Sequence, residues 1–391
     1  MVGERPLTAR SSRPLLLALL PLAACGGSGA DDARLPDDVI QIAAAADTAC
    51  ALRGDGQVRC WGQVHVGTDA RALDRATPII TLKGAAQLVV GDTHACARFQ
   101  TGEVACWGDD GHGQLGDGKT TASATAVLVP GLTDAVDLSA ASRQTCAVRQ
   151  SGKVVCWGAV PFVSDDPDAT FSTPFEVPGV DDATAVSAGE SGSCALRRAG
   201  AVACWGRGTH GQLGAGGPAP DTCGKEPCAR SAVAVAGLVD ARQVSVGLDQ
   251  ACAVRASGEV VCWGWGAVGQ NGDGTTLERD APVPVIGLGT VVSVRALHDR
   301  VCALRAGGEL WCWGEGAAVD GLPDPSQGQA HLAPVRIPVG EPVLSVAGGH
   351  HQTCARAGGR VVLCWGGDNA LGQLGDGTRT PRSTPADVAG L

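Results

Sequence analysis

Apolar and polar positions alternate along this chain in short runs, and the runs recur. Stretches such as Ala135-Val136-Asp137-Leu138-Ser139 and Gln243-Val244-Ser245-Val246 read as strands with one face buried. A turn follows, marked by Gly91, Gly189, Gly247 or Gly349, five residues before a cysteine. That cysteine opens a hairpin, as in Cys252-Ala253-Val254-Arg255-Ala256-Ser257-Gly258-Glu259-Val260-Val261-Cys262-Trp263-Gly264. A polar Gly-rich loop comes next, and a Pro-led apolar strand such as Pro284-Val285-Ile286-Gly287-Leu288 closes the unit. Four short strands in this order, seven times over, predict an all-β, seven-bladed β-propeller of four-stranded blades. The repeats are expected at about 39–84, 85–132, 133–180, 181–238, 239–288, 289–340 and 341–391.

The hairpins share one spacing: Cys50/Cys60, Cys96/Cys106, Cys146/Cys156, Cys194/Cys204, Cys252/Cys262, Cys302/Cys312 and Cys354/Cys364. Gly56, Gly102, Gly152, Gly200, Gly258 and Gly308 lie six residues after the first cysteine. This suits a three-residue loop whose last residue is left-handed, where glycine carries no Cβ penalty. Such a loop sets the two cysteines opposite each other as a non-hydrogen-bonded pair, close enough to bridge. Seven intrablade disulfides are therefore predicted. In the seventh hairpin Gly358-Gly359 come one residue early and Arg360 stands at the glycine position, so a shifted, bulged turn is expected there. Alternation puts both cysteines with Leu52 and Val58, or Val254 and Val260, on one face. The alanine after the first cysteine and the Trp after the second (Trp61, Trp107, Trp157, Trp205, Trp263, Trp313, Trp365) fall on the other. Both faces are apolar, as a blade between two neighbours requires, so the Trp rings read as core rather than as a ligand platform.

Composition agrees. Fifty-seven glycines among 391 residues, no tyrosine and one methionine suit strands and tight turns, not long amphipathic helices. A net charge of −10 gains nothing from counter-ion release, which argues against nucleic acid as a partner. The amino terminus is different in kind. Arg5, Arg10 and Arg13 precede an apolar run, Leu15 to Leu22, that is too short to span a bilayer. The run ends in Leu22-Ala23-Ala24-Cys25, which resembles the lipobox of bacterial lipoproteins. Residues 1–24 are expected to be a lipoprotein signal peptide, Cys25 a lipidation site, and 25–38 a flexible tether. The expected location is the bacterial cell envelope, lipid-anchored and facing the periplasm or the exterior. With 17 cysteines in the chain, the pairing also suggests an oxidising compartment.

The repeats resemble those of the regulator of chromosome condensation family. Gly91-Asp92-Thr93-His94 matches its Gly-x-x-His element, and Gly247-Leu248-Asp249-Gln250 matches it with Gln for His. Gly113-Gln114-Leu115-Gly116, Gly211-Gln212-Leu213-Gly214 and Gly372-Gln373-Leu374-Gly375 match its Gly-Gln-Leu-Gly element, and Gly269-Gln270-Asn271-Gly272 does so with one change. The resemblance covers essentially all of 39–391 and implies a seven-bladed propeller. Family members include nucleotide-exchange factors, ubiquitin-ligase modules, a light receptor and a secreted β-lactamase inhibitor, and what they share is protein binding by loops on a propeller face. Repeats one, three and six lack Gly-Gln-Leu-Gly, so their loops after Trp-Gly should differ. The cysteines stand where the family usually has apolar residues.

The fourth repeat is the longest, with its excess in Gly216 to Arg230. This stretch carries Cys223-Gly224-Lys225-Glu226-Pro227-Cys228. Cys223 and Cys228 are expected to staple a protruding loop, since their spacing is not that of redox motifs. Lys225, Glu226 and Pro227 are the candidate partner-binding loop. His112 and His210, just before Gly-Gln-Leu-Gly, and the pair His350-His351 could meet metal but have no convergent carboxylate in the sequence; no metal site and no cofactor are expected. Asp117, Asp273 and Asp376 precede glycines and read as turns, lacking the alternating acids of a calcium loop. No catalytic motif is present. The expectation is a non-catalytic, monomeric scaffold binding another protein at the cell envelope through face loops. An envelope glycan-binding propeller is the alternative. An enzyme acting at the channel mouth is the third reading, and it requires acids or histidines to cluster there.

Overall fold

The computed structural model describes residues 38–391 apart from 161–162, 165, 167–168, 316–329 and 359–360. The expected signal peptide, Cys25 and the tether up to residue 37 lie outside the described residues, as do Gly359 and Arg360 of the seventh hairpin. Every described element is a strand, and the strands form seven antiparallel sheets. Each sheet is built from one sequence repeat. Blade 1 comprises Val39–Ala45, Thr48–Arg53, Gln57–Val66 and Asp69–Thr81 in that order. Six blades have four strands. Blade 4 has a fifth, Asp221–Cys223, paired outside its outermost regular strand Glu226–Ala234.

The hairpin chemistry builds each blade. From blade 1 to blade 7, Cys50 faces Cys60, Cys96 faces Cys106, Cys146 faces Cys156, Cys194 faces Cys204, Cys252 faces Cys262, Cys302 faces Cys312 and Cys354 faces Cys364. Each pair joins the second and third strands of its blade, with Cα atoms 4.0–4.2 Å apart and sulfurs at bonding distance. That is the narrow, non-hydrogen-bonded type of pair. In blade 2 the turn is closed by Phe99 N donating to Glu103 O at 2.9 Å and Gly102 N to Phe99 O at 3.0 Å. Gly102 takes φ +89°, which an L-residue there would resist. In blade 7 the ladder runs one pair further, to Ala357 opposite Val361, and the cysteines keep their register.

Blades pack cysteine face to tryptophan face. Cys50, Leu52, Val58 and Cys60 of blade 1 meet Leu88, Val90, Ala97 and Trp107 of blade 2. On its other side, Ala49, Ala51 and Trp61 meet Cys354, Val362 and Cys364 of blade 7. The same contact recurs where Cys96 and Cys106 meet Trp157, Cys194 and Cys204 meet Trp263, and Cys302 and Cys312 meet Trp365. All seven hairpin Trp rings are fully buried. The ring of blades thus closes by side-chain packing together with backbone hydrogen bonds between blades 7 and 1, such as Ala76 N to Ala389 O at 2.9 Å and Gly377 N to Asp74 O at 2.7 Å. Among the described residues no sheet mixes strands from the two chain ends.

A polar cross-link accompanies most of these interfaces, from the position two residues before the first cysteine. His94 Nε2 lies 2.7 Å from Thr145 Oγ1. Gln144 donates to Gly189 O, and Gln250 to His298 O at 2.7 Å. Arg300 donates to Thr353 Oγ1, His350 O and Gly349 O at 2.9–3.0 Å. Gln352 reaches Thr48 O across the closure at 3.5 Å. Each joins a blade to the next, so these buried polar groups find partners between blades rather than within them.

Candidate functional site

The innermost strands, Val39–Ala45, Ala85–Val90, Ala135–Ala141, Ala183–Ala188, Ala241–Val246, Val291–Ala296 and Val343–Gly348, surround a central channel of about 350 Å³. Its walls are mostly small side chains. Asp137 and Arg295 are the charged exceptions along the strands. Asp137 accepts from Val186 N and Gln87 Nε2, both at 2.9 Å, and burial raises its pKa. Arg295 is surrounded by protein yet exposed on the channel wall. Burial lowers its pKa, and Asp137 opposes that shift.

At one mouth of the channel, each inner strand turns into the second strand. The residue four before the first cysteine sits on this turn in every blade: Ala46, Asp92, Ser142, Glu190, Leu248, His298 and His350. Backbone bonds tie neighbouring turns together. Asp92 N donates to Ser142 O at 2.8 Å, Glu190 N to Gly247 O at 3.4 Å, Leu248 N to His298 O at 3.4 Å, and His350 N to Ala46 O at 2.9 Å. One sequence position therefore becomes a ring of side chains on a fixed rim.

Three members of that ring converge. His350 Nε2 is 3.2 Å from Glu190 Oε1, and His298 Nε2 is 3.7 Å from the same oxygen. The two imidazole centroids are 4.4 Å apart. His298 Nδ1 is 2.7 Å from Asp299 Oδ2. The hydrogen bond that His350 donates to the Glu190 carboxylate raises the pKa of His350 against the lowering effect of burial. Burial raises the pKa of Asp92, and the charge of Glu190 adds to the effect. The sequence singled out His350 and His351 but neither Glu190 nor His298, which are far apart in the chain. Counting four residues back from each first cysteine would have aligned them.

The other residues expected to matter do not join this group. The hairpin cysteines, among them Cys106, Cys204 and Cys312, are buried inside the blades, so their part is to hold the scaffold. His112 Nε2 lies 3.3 Å from an Arg143 nitrogen, and His210 Nδ1 lies 2.8 Å from Glu278 Oε1. Asp117, Asp273 and Asp376 each accept the backbone N–H two residues on, at 2.9–3.0 Å, as turn residues do.

The loops after Trp-Gly rise on the same face as this mouth, because the third strand runs parallel to the first. Two of them extend as hairpins. In blade 1, the third and fourth strands continue to Val66 and Asp69, in place of Gly-Gln-Leu-Gly. In blade 4, Asp221–Cys223 pairs with the start of Glu226–Ala234, so the candidate loop is an added rim strand with a tight tip rather than an irregular protrusion. Cys223 and Cys228 are fully buried with sulfurs at bonding distance and Cα atoms 5.9 Å apart. Arg230 N donates to Asp221 Oδ2 at 3.0 Å, which locks the strand pair. Lys225 and Pro227 are exposed at the tip and Glu226 is half-buried. The replacement loop of blade 6 falls in 316–329, outside the described residues, and that of blade 3 is described only in part. On the opposite face Gly56, Gly102, Gly152, Gly200, Gly258 and Gly308 each take a left-handed φ of +84° to +90° at the hairpin tip.

A sequence profile described as the regulator of chromosome condensation (RCC1) repeat matches residues 39–63, 85–114, 183–212 and 241–270. Four of the seven repeats are thus similar to regulator of chromosome condensation repeats. Solved structures agree on the fold. Yeast RCC1 (Prp20), crystallised with Kap60, is similar at 21% identity and a TM-score of 0.70, over 91% of this chain and 85% of that one. Prp20p from Saccharomyces cerevisiae, described with its binding to Gsp1p and histones, shows 21% identity and a TM-score of 0.69, over 86% of this chain and 87% of its own. Human WBSCR16 shows 18% identity and a TM-score of 0.69, over 83% and 89%. No curated protein matches the sequence.

The structure explains the motifs of these repeats. The Gly-Gln-Leu-Gly of one repeat caps the Trp of the next: Trp157 Nε1 donates to Gln114 O at 3.0 Å, Trp263 Nε1 to Gln212 O at 3.0 Å, and Trp313 Nε1 to Gln270 O at 2.8 Å. Its last glycine lies against the same indole. A Cβ on Gly116 would come within 2.7 Å of Trp157 Nε1, and its φ is +70°. What sets this chain's repeats apart is the cysteine pair in every blade. So many pairs at disulfide distance point to an oxidising, extracytoplasmic environment.

Proposed function

We propose that this protein is a lipid-anchored, extracytoplasmic, non-catalytic propeller that binds another protein through the face carrying the channel mouth. The observation that carries this reading is where the repeats differ. Blade interiors repeat the same cysteines and Trp, and on the opposite face six of the seven hairpins carry glycine at the same turn position. The mouth face carries a different residue at almost every turn, plus two hairpins of unequal reach. A rigid scaffold with variation confined to one face suits recognition, since stapled loops lose little entropy on binding. The yeast relative crystallised with Kap60 lends the same support at the level of fold. Cys25 would hold the propeller at the envelope membrane, with residues 26–38 as its tether.

The test is affinity capture from envelope membranes, comparing wild type with Lys225→Ala/Glu226→Ala and, separately, Asp92→Asn. Recovery of a protein partner that either variant loses supports the reading. Capture of nothing under several growth conditions, or of partners indifferent to both variants, would count against it. Mass spectrometry of the mature protein should find diacylglycerol on Cys25. A mature chain beginning elsewhere removes the anchor.

The enzyme reading is favoured by one observation, the convergence of Glu190, His298 and His350. Turnover of an envelope-class ester or peptide that Glu190→Gln abolishes would establish it over binding. The glycan reading loses ground, because the seven hairpin Trp rings are all buried and cannot serve as sugar platforms.

A further inference from the structure

We propose that the Glu190 carboxylate and the Nε2 atoms of His298 and His350 form a binding site for a divalent metal ion of the zinc class at the channel mouth. Three features argue for it.

The first is spacing. One ligand atom from each of the three residues can be chosen so that all lie within 4.8 Å of one another. The carboxylate oxygen is 3.2 and 3.7 Å from the two imidazole nitrogens. Bonds of about 2.0–2.1 Å in a tetrahedron put ligand atoms roughly 3.3 Å apart. The chosen ligand atoms lie up to 4.8 Å apart, so movements of up to roughly 1.5 Å between half-buried side chains would complete the geometry.

The second is orientation. His298 Nδ1 lies 2.7 Å from Asp299 Oδ2. That carboxylate selects the tautomer with the proton on Nδ1 and leaves the Nε2 lone pair aimed at Glu190. A carboxylate behind a ligating histidine is the usual outer support of a zinc ligand.

The third is the rim. The three residues occupy the same position of three blades, and the backbone bonds Glu190 N to Gly247 O, Leu248 N to His298 O, and His350 N to Ala46 O hold those turns. A site assembled from three blades on a stiff rim needs little ordering when an ion arrives.

The ligand chemistry selects the ion. Two imidazoles and one carboxylate suit zinc, and calcium or magnesium would want oxygens throughout. Three protein ligands leave a fourth position for water, open to the mouth.

The experiment is calorimetric titration of Zn²⁺ into the purified, disulfide-intact chain after chelator treatment, near neutral pH, with Ca²⁺ in parallel. One saturable zinc site per chain and none for calcium is the expected result. Glu190→Gln, His298→Ala and His350→Ala should each weaken it by on the order of 100-fold, and Asp299→Asn by about 10-fold or more. His112→Ala and His210→Ala should leave it unchanged. Co²⁺ loading of the wild type gives a check that needs no variant: visible bands of a four-coordinate nitrogen and oxygen site are expected. Lack of saturable zinc binding by the folded wild type, binding indifferent to all three ligand substitutions, or a six-coordinate aquo-type cobalt spectrum would each overturn the proposal.

Discussion

At position 116 a single hydrogen atom decides whether one blade can close over the next. Gly116 combines a left-handed φ with contact against the Trp157 ring. Gly116→Ala should cost on the order of 1–3 kcal/mol, seen as a lowered thermal midpoint. Gly217→Ala, where nothing lies within 4 Å of the new methyl, should leave the midpoint unchanged. Equal midpoints for the two variants would rule out a capping role for Gly-Gln-Leu-Gly. His94 makes a second test at this scale. Burial lowers its pKa from 6.5 to about 4, opposed by Asp109. The unfolded chain takes up a proton below about pH 6.5 that the folded one refuses. Stability should therefore fall as pH drops from about 6.5 toward 4, by up to a few kcal/mol. His94→Gln, the residue already found at the equivalent positions 144, 250 and 352, should flatten that stretch of the melting-point curve. A curve with unchanged slope between those pH values would show that other groups carry the acid sensitivity.

The hairpin is the element on which everything else is built. Its spacing, its glycine and its alternation all agree in the sequence, which is why its turn, its register and its two faces were legible there. Its cysteines should be found paired: non-reducing peptide mapping of protein isolated without reductant is expected to return the seven hairpin bridges and Cys223–Cys228. In the chain-entropy model a ten-residue bridge contributes roughly 3 kcal/mol or less. Replacing Cys146 and Cys156 by alanine, in the middle of a blade, should lower the melting temperature by several degrees. Replacing Cys223 and Cys228 by serine should scarcely move it, because that pair staples only the rim strand. There the expected change is faster proteolysis between residues 216 and 230. A large stability loss from the rim pair would mean that the fifth strand supports blade 4 as a whole.

For the whole molecule, the governing property is that every described sheet is local in sequence and the ring closes by packing and hydrogen bonds between blades rather than by a shared sheet. Val39 O accepts from Arg356 at 3.3 Å, and Gly390 O accepts from Arg59, so the two ends of the propeller lie together. A chain joined from residue 391 back to 39 by a short linker and reopened between Leu128 and Ala135 should fold to the same far-ultraviolet circular dichroism spectrum, with a melting temperature within a few degrees. Failure of that permutant to fold would indicate that closure depends on the natural order of the blades. At this scale too, loops become a face: the hairpin tips of blades 1 and 4 are separate events in the sequence and belong to one mouth face in the fold.

Period-two alternation and short-range turn chemistry were enough to set the four strands of a regular blade, the pairing of the cysteines and the residues that face a neighbouring blade. They also marked the Gly-Gln-Leu-Gly element, though not its purpose, since the Trp it caps belongs to the following repeat. The fifth strand of blade 4 escaped them, because Asp221–Cys223 is short and has no alternation of its own. That Glu190, His298 and His350 share one position, four residues before the first cysteine of their repeats, could be counted in the chain, but that these three of the seven side chains meet at the channel mouth could not. They converge because ring closure superposes one turn position from seven blades around a common axis, and that is a property of the packed ring rather than of any segment of the chain.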